Sequence, residues 1–223
     1  MEFSIQFRGR RYGRSLSTKR KETYIKVISN YGIELSNFNI DNLVSDNDQS
    51  IHLEIGPGKG EYIVNLARQF QKDLFIASEP YMNGIANIAV SIDKFKLKNL
   101  FLFPDDARLL LAKIPNNCLK TVYLLFPDPW PKFRHRNRRF INQDNLNELS
   151  RVIKKGGNLW FASDHYEYCR WALYWIRKHP NFEWEAREPK DWQIRPNAWI
   201  PTRYEIKSAL NGINPLFLKF NKS

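Results

Sequence analysis

The sequence predicts an α/β fold built on a parallel sheet with helices on both faces, preceded by a basic arm. Three observations carry the prediction. From residue 51 onward, short apolar runs alternate with stretches of helical periodicity, the pattern of a parallel sheet joined by right-handed crossovers. The first run leads into a glycine-rich turn, Gly56-Pro57-Gly58-Lys59-Gly60. Acids stand just past the second, third and fourth runs (Glu79, Asp106 and Asp128), and ligands of open α/β sheets bind at that edge.

Taken in order, Tyr24, Val27, Ile28 and Tyr31 fall at helical spacing, so a short helix is expected over 21–31, followed by a polar connection through Asp48. Ile51–Ile55 reads as the first strand and Glu61–Phe70 as an amphipathic helix. Leu74–Ala77 is the second strand, followed by a helix over 81–93. Leu100–Phe103 is the third strand, with a short helix from Ala107 to Lys113. Leu119–Leu125 is the fourth strand, and a helix over 142–154 leads through Gly156-Gly157 into a fifth strand over 158–163. A helix over 166–178 follows, and then strand-like segments at 182–185, 203–210 and 216–220. No repeat, low-complexity tract or second core interrupts the pattern. One domain over 21–223 is expected, with residues 1–20 as a flexible basic arm.

At 223 residues, roughly 70% of the unfolded surface can be buried, so neither disulfides nor metals are needed for a core. Cys118 and Cys169 lie far apart and fit reduced thiols; His52, His135, His165 and His179 form no zinc pattern. No metal is expected. No leader-like or membrane-length apolar stretch occurs, and a cytoplasmic protein is expected. Net charge is +12. Half of it comes from residues 1–21, where Arg8, Arg10, Arg11, Arg14, Lys19, Arg20 and Lys21 oppose Glu2 alone. Such an arm suits phosphates, or serves only as a solubilising tail. A membrane surface fits less well, because neither basic strip has an apolar face.

Alternate glycines Gly56, Gly58 and Gly60 let the backbone turn tightly and approach a ligand. Their spacing matches neither the full dinucleotide fingerprint nor a P-loop. Glu79 stands where a carboxylate can accept both ribose hydroxyls of a nucleoside, and Asp106 where one could face an adenine amino group. Acids at successive strand ends without a phosphate signal fit a nucleoside whose other half is cationic, namely S-adenosyl-L-methionine. Both acids would also suit helix N-termini.

The fourth strand runs into Phe126-Pro127-Asp128-Pro129-Trp130-Pro131, where two prolines hold Asp128 in a stiff non-helical turn. Lys132, Arg134, Arg136, Arg138 and Arg139 follow with no acid among them, as suits an anionic polymer. Trp130 could stack on a base or pack beneath the loop.

At these residues the chain resembles the bacterial tRNA (guanine-N7)-methyltransferase family. The most specific block is Pro127–Arg139. Glu54 with the glycine loop, Ser78-Glu79-Pro80, Asp106-Ala107, Ala162-Ser163-Asp164 and Thr202-Arg203-Tyr204-Glu205 support it. The resemblance implies a Rossmann-like class I methyltransferase: a single doubly wound, mostly parallel seven-stranded sheet with one antiparallel edge strand. It implies methyl transfer to N7 of a guanine in the tRNA variable loop (position 46). Carried over, the cofactor set falls on Glu54, Glu79, Asp106 and Asp128, with Asp128 as the active-site acid. The tRNA-side set falls on Lys132, Asp164, Thr202, Arg203, Tyr204 and Glu205, and the basic strip adds Arg134, Arg138 and Arg139. Phe133 and Asn137 depart from basic residues of the family, and Lys207-Ser208 replaces its Arg-Gly. The partner implied is tRNA, with no obligate protein partner, for a monomer or homodimer. Rival readings are methyl transfer to another base or exocyclic amine, and a non-catalytic RNA-binding protein of the same fold.

Overall fold

The computed structural model describes residues 7, 9–44, 46, 48–196 and 199–223. The chain divides into two compact units, Met1–Ile114 and Pro115–Ser223.

In the first unit, helix α1 (Thr18–Tyr31) leads to strand β1 (Ile51–Ile55). Helix α2 (Glu61–Gln69), β2 (Leu74–Ser78), α3 (Met82–Phe95), β3 (Leu100–Phe103) and α4 (Ala107–Leu111) follow. β1 pairs in parallel with β2, with Ile55 opposite Ser78, and β2 with β3, with Ser78 opposite Phe103. The three strands therefore end in step. β2 is buried throughout, as expected of a strand covered on both faces. α2 turns Ile63, Leu66 and Ala67 inward and α3 turns Ile85, Ile88, Ala89 and Ile92 inward, the spacing that makes an apolar helix face. α1 starts three residues before the expected position and packs on α3. Arg20 donates to Asn87 Oδ1 at 2.7 Å, and Lys26 pairs with Asp93 at 2.9 Å.

The second unit opens with β4 (Leu119–Leu125) and continues through α5 (Gln143–Val152), β5 (Ile153–Ser163) and α6 (Tyr166–Lys178). It ends with β6 (Phe182–Trp184), a one-turn α7 (Lys190–Gln193), α8 (Arg203–Leu210) and β7 (Leu216–Lys222). β4 and β5 are parallel with Leu125 opposite Ala162, so these strands also end in step. β5 begins five residues before the expected position. A register shift lies between Leu119 and Thr121, and Gly156 is left-handed with φ 70°; the glycine pair makes a bulge within the strand, not a loop before it. The seven-stranded sheet has the order β3-β2-β1-β4-β5-β7-β6. Its antiparallel strand is β7, which pairs with both β5 and β6. That strand is internal, and β6 forms the edge, so the expected antiparallel edge strand is corrected.

Residues 203–210, expected as a strand, form a helix. Thr202 is its N-cap, and its hydroxyl accepts the Glu205 N–H at 3.3 Å. Thr-x-x-Glu is a helix-start signature, and the helix formers Arg203, Glu205, Lys207, Ala209 and Leu210 agree with it. The basic strip also contains a 3-10 helix, Phe133–Arg138, that periodicity did not signal. No helix among the described residues is long and apolar enough to cross a membrane.

Candidate active site

In the first unit, Gly56, Gly58 and Gly60 all take left-handed backbones, with φ of 70°, 59° and 79°. At Gly60 a Cβ would lie 2.4 Å from Ile88 Cγ1, and at Gly84, on α3, one would lie 2.5 Å from the Gly58 carbonyl oxygen. Loop and helix thus approach at a distance only glycine permits. Glu79 holds the loop in this shape: one carboxylate oxygen accepts the Gly58 N–H at 2.7 Å and the other the Tyr81 N–H at 2.8 Å.

Glu54, next to last in β1, is 3% exposed, and its Oε2 has no hydrogen-bond partner. Burial, reinforced by Glu61 and Glu79, pushes its carboxyl up to about 8, against the lowering effect of the Ile63 N–H. A buried acid of this kind is mostly protonated at neutral pH, and a cation brought against it would favour its ionised form. Asp106 takes the helix-capping option that its sequence position left open. It accepts the Arg108 N–H at 3.0 Å and pairs with the Arg108 guanidinium at 2.5 Å.

The basic arm is joined to this edge. Arg11 pairs with Asp105 at 2.7 Å, its carbonyl accepts the Met82 N–H, and Asn83 bonds the backbone of both Gly13 and Arg14. Arg8 and Glu2 of the arm lie outside the described residues.

In the second unit, Asp128 is exposed on the loop that leaves β4. The backbone is left-handed on either side, at Phe126 (φ 51°) and Trp130 (φ 43°). Each such residue costs about 1–3 kcal/mol and persists only where its surroundings over-determine it. One restraint is the Phe126 N–H, which donates to the Ala162 carbonyl at 2.7 Å. The other is Arg139. Expected on the RNA surface, it is 1% exposed; its Nε donates to the Pro129 carbonyl at 2.8 Å, and its guanidinium lies 5.0 Å from the Tyr168 and Trp171 ring centroids. Burial draws its pKa down, but an arginine stays charged. Trp171 is itself fixed by donating to the Ile141 carbonyl at 2.7 Å.

The rest of the strip faces outward. Lys132, Arg134 and Arg138 are exposed, and Arg138 lies 4.9 Å over the Trp130 ring. Arg136 is partly covered and lies 3.6 Å from Glu167.

Asp164 follows the last residue of β5 and accepts a hydrogen bond from the Ser208 hydroxyl of α8. The start of α8 meets the Asp128 loop through the Phe126 and Tyr204 rings, whose centroids lie 6.4 Å apart with nearly parallel planes. Thr202 and Glu205 are buried, whereas Arg203 and Tyr204 are exposed. Glu205 pairs with Arg195 at 2.6 Å.

Asp128, Asp164 and the Thr202–Glu205 segment are therefore brought together in this unit, while Arg139 is placed behind the loop. Sequence reasoning missed Arg195, Ser208, Tyr168 and Trp171. Only the capping signature at Thr202 could have placed Ser208, two turns into α8.

A glycine loop held by the acid that ends the next strand, in a seven-stranded sheet with one antiparallel member, defines a class I methyltransferase. Solved structures agree in fold. The 16S rRNA methyltransferase KamB aligns with a TM-score of 0.59 at 16% identity, covering 86% of this chain and 95% of that one. An rRNA methylase from Streptococcus thermophilus aligns at 0.52 and 14%, covering 82% and 92%. The family described as "Putative methyltransferase" matches residues 48–216. A tRNA (guanine-N(7)-)-methyltransferase of Bartonella henselae is 40% identical over 97% of this chain and 95% of its own length. One from Azorhizobium caulinodans is 39% identical over 96% and 94%. The chain belongs to the tRNA (guanine-N7)-methyltransferase family.

The Glu54 carboxyl gives the fold a pH dependence. Its pKa is raised on folding, so the stability it contributes is fully present below its ordinary 4.5, is lost as pH rises toward about 8, and is flat above. Relative to Glu54→Gln, the ligand-free protein should lose up to about 1.4 kcal/mol per pH unit across that window. Thermal unfolding of both proteins from pH 5 to 9 checks this; a constant difference in Tm would refute it.

Proposed function

We propose that this chain transfers the methyl group of S-adenosyl-L-methionine to N7 of a guanine in the tRNA variable loop, at position 46. The supporting observation is the pair of acids, Asp128 and Asp164, held at the ends of adjacent parallel strands beside an outward-facing cationic strip. The names of the full-length relatives point to the same reaction.

The residues present fit the cofactor. Glu54 offers a buried, unpartnered carboxylate oxygen to a cationic group, and the glycine loop leaves its backbone open to close approach. Glu79 would meet ribose with the remaining lone pairs of oxygens that already accept the Gly58 and Tyr81 N–H groups, and Asp106 would meet adenine while still paired with Arg108. When bound, S-adenosyl-L-methionine supplies an electrophilic methyl group.

Guanine N7 has a lone pair and no proton, so the protein needs no general base at that atom. Its task is placement, together with negative charge where the cationic base forms. Asp128 accepts from the N1–H and amino edge of the guanine and favours electron density at N7. Asp164 acts similarly from the next strand end. Arg139 positions Asp128 by gripping the Pro129 carbonyl. Lys132, Arg134 and Arg138 meet RNA phosphates, joined by the arm over residues 1–20 ahead of a methyltransferase domain over 21–223. Arg203 meets phosphate, while Tyr204 and Glu205 shape the base side. The protein works in the cytoplasm without an obligate protein partner.

The deciding experiment is methyl transfer from labelled cofactor to unmodified tRNA transcript, with the product nucleoside identified by mass spectrometry. Formation of 7-methylguanosine, lost when the variable-loop guanine is replaced, is expected. A methylated amine, or cofactor binding without product, would replace this function with one of its rivals.

Glu54 should also link cofactor binding to protons. A cation against its carboxylate lowers the pKa from about 8, so binding at pH 7.5 should release a fraction of a proton. Calorimetry in buffers of different ionisation enthalpy measures that release, and Glu54→Gln should abolish it. The two arginine roles separate by salt. Arg138→Ala should raise the tRNA KM and reduce the salt slope of binding by about 1. Arg139→Lys should lower kcat and leave the slope unchanged.

A further inference from the structure

We infer that Ser208, where the family pattern has glycine, is a positioning residue that aims the Asp164 carboxylate at the substrate base. The inference rests on the proposal that Asp164 faces that base.

Ser208 lies on α8, is 2% exposed, and donates its hydroxyl proton to Asp164 Oδ2. The Ser208 hydroxyl oxygen also lies 2.9 Å from the Tyr204 carbonyl oxygen. A hydroxyl has one proton to donate, and the charged acceptor makes the stronger bond, so the proton goes to Asp164. One carboxylate oxygen is thereby occupied, while Oδ1 has no protein hydrogen-bond partner among the described residues.

The backbone on either side of Asp164 is fixed separately: the His165 N–H donates to Ser163 Oγ at 3.1 Å, and the Cys169 thiol donates to the Ser163 carbonyl at 3.5 Å. Those bonds set where Asp164 starts. The Ser208 bond sets where its side chain points. It also ties Asp164 to the helix that begins with Thr202-Arg203-Tyr204-Glu205, so the acid and the substrate-side segment hold one mutual orientation. Glycine at this position offers no group to do this.

The test is a double-mutant cycle on the full chain, using Ser208→Ala, Asp164→Ala and the pair, read by single-turnover methyl transfer to tRNA at saturating cofactor and tRNA. Loss of a hydrogen bond to a charged group should cost about tenfold in rate, with cofactor Kd and tRNA KM nearly unchanged. In the Asp164→Ala background, Ser208→Ala should cost nothing further. Ser208→Thr, which keeps the hydroxyl, should restore the rate. Should Ser208→Ala fail to fold, Ser208→Gly takes its place in the cycle. An equal loss in both backgrounds overturns the positioning role and leaves Asp164 in place. A rate untouched by Asp164→Ala overturns the base-facing role of Asp164 and this inference with it.

Discussion

Parallel pairing that ends strands level with one another is the constraint on which the arrangement within each unit depends. In the first unit, Ile55 lies opposite Ser78 and Ser78 opposite Phe103, so the glycine loop, Glu79 and Asp106 emerge along one edge. In the second, Leu125 lies opposite Ala162, which brings out the Asp128 loop and Asp164 at neighbouring positions. A one-residue slip in either ladder would turn every side chain of a strand to the other face.

Each unit also maintains a charge that a protein interior would otherwise avoid. Glu54 and Arg139 are each almost wholly buried, and each has polar atoms with no hydrogen-bond partner. Isolated charges are costly in a low-dielectric interior, and the two sites meet that cost differently. The carboxyl takes up a proton. The guanidinium cannot shed its proton, so it spreads its charge over the faces of Tyr168 and Trp171 and makes one hydrogen bond to the strained loop behind which it lies. In each case burial sets the local chemistry: one leaves a carboxylate oxygen without a partner, and the other ties a guanidinium to the Pro129 carbonyl of the loop that carries Asp128.

Much of this was legible in the sequence because it is local. β1, β3, β4 and α6 fall where period and composition place them, since apolar runs and amphipathic spacing reflect burial that the parallel sheet then provides. The turn chemistry around Gly56–Gly60 and Pro127–Pro131 was equally readable, because glycine and proline restrict the backbone wherever they occur. α8 was misread as a strand although the Thr202–Glu205 signature was present and Arg203, Glu205, Lys207, Ala209 and Leu210 all favour helix. Arg139 was read as a surface cation because nothing in a run of basic residues distinguishes the one that faces inward.

The sequence by itself determined the class of fold and the strand ends at which the glycine loop, Glu79, Asp106, Asp128 and Asp164 emerge, for these follow from period, turn residues and order along the chain. Tertiary structure alone decided which cation supports the loop, that Glu54 is left protonated, and that Ser208 meets Asp164 across 44 positions. Those outcomes depend on packing between segments distant in sequence, where burial and a single hydrogen bond assign a role that residue type leaves undetermined.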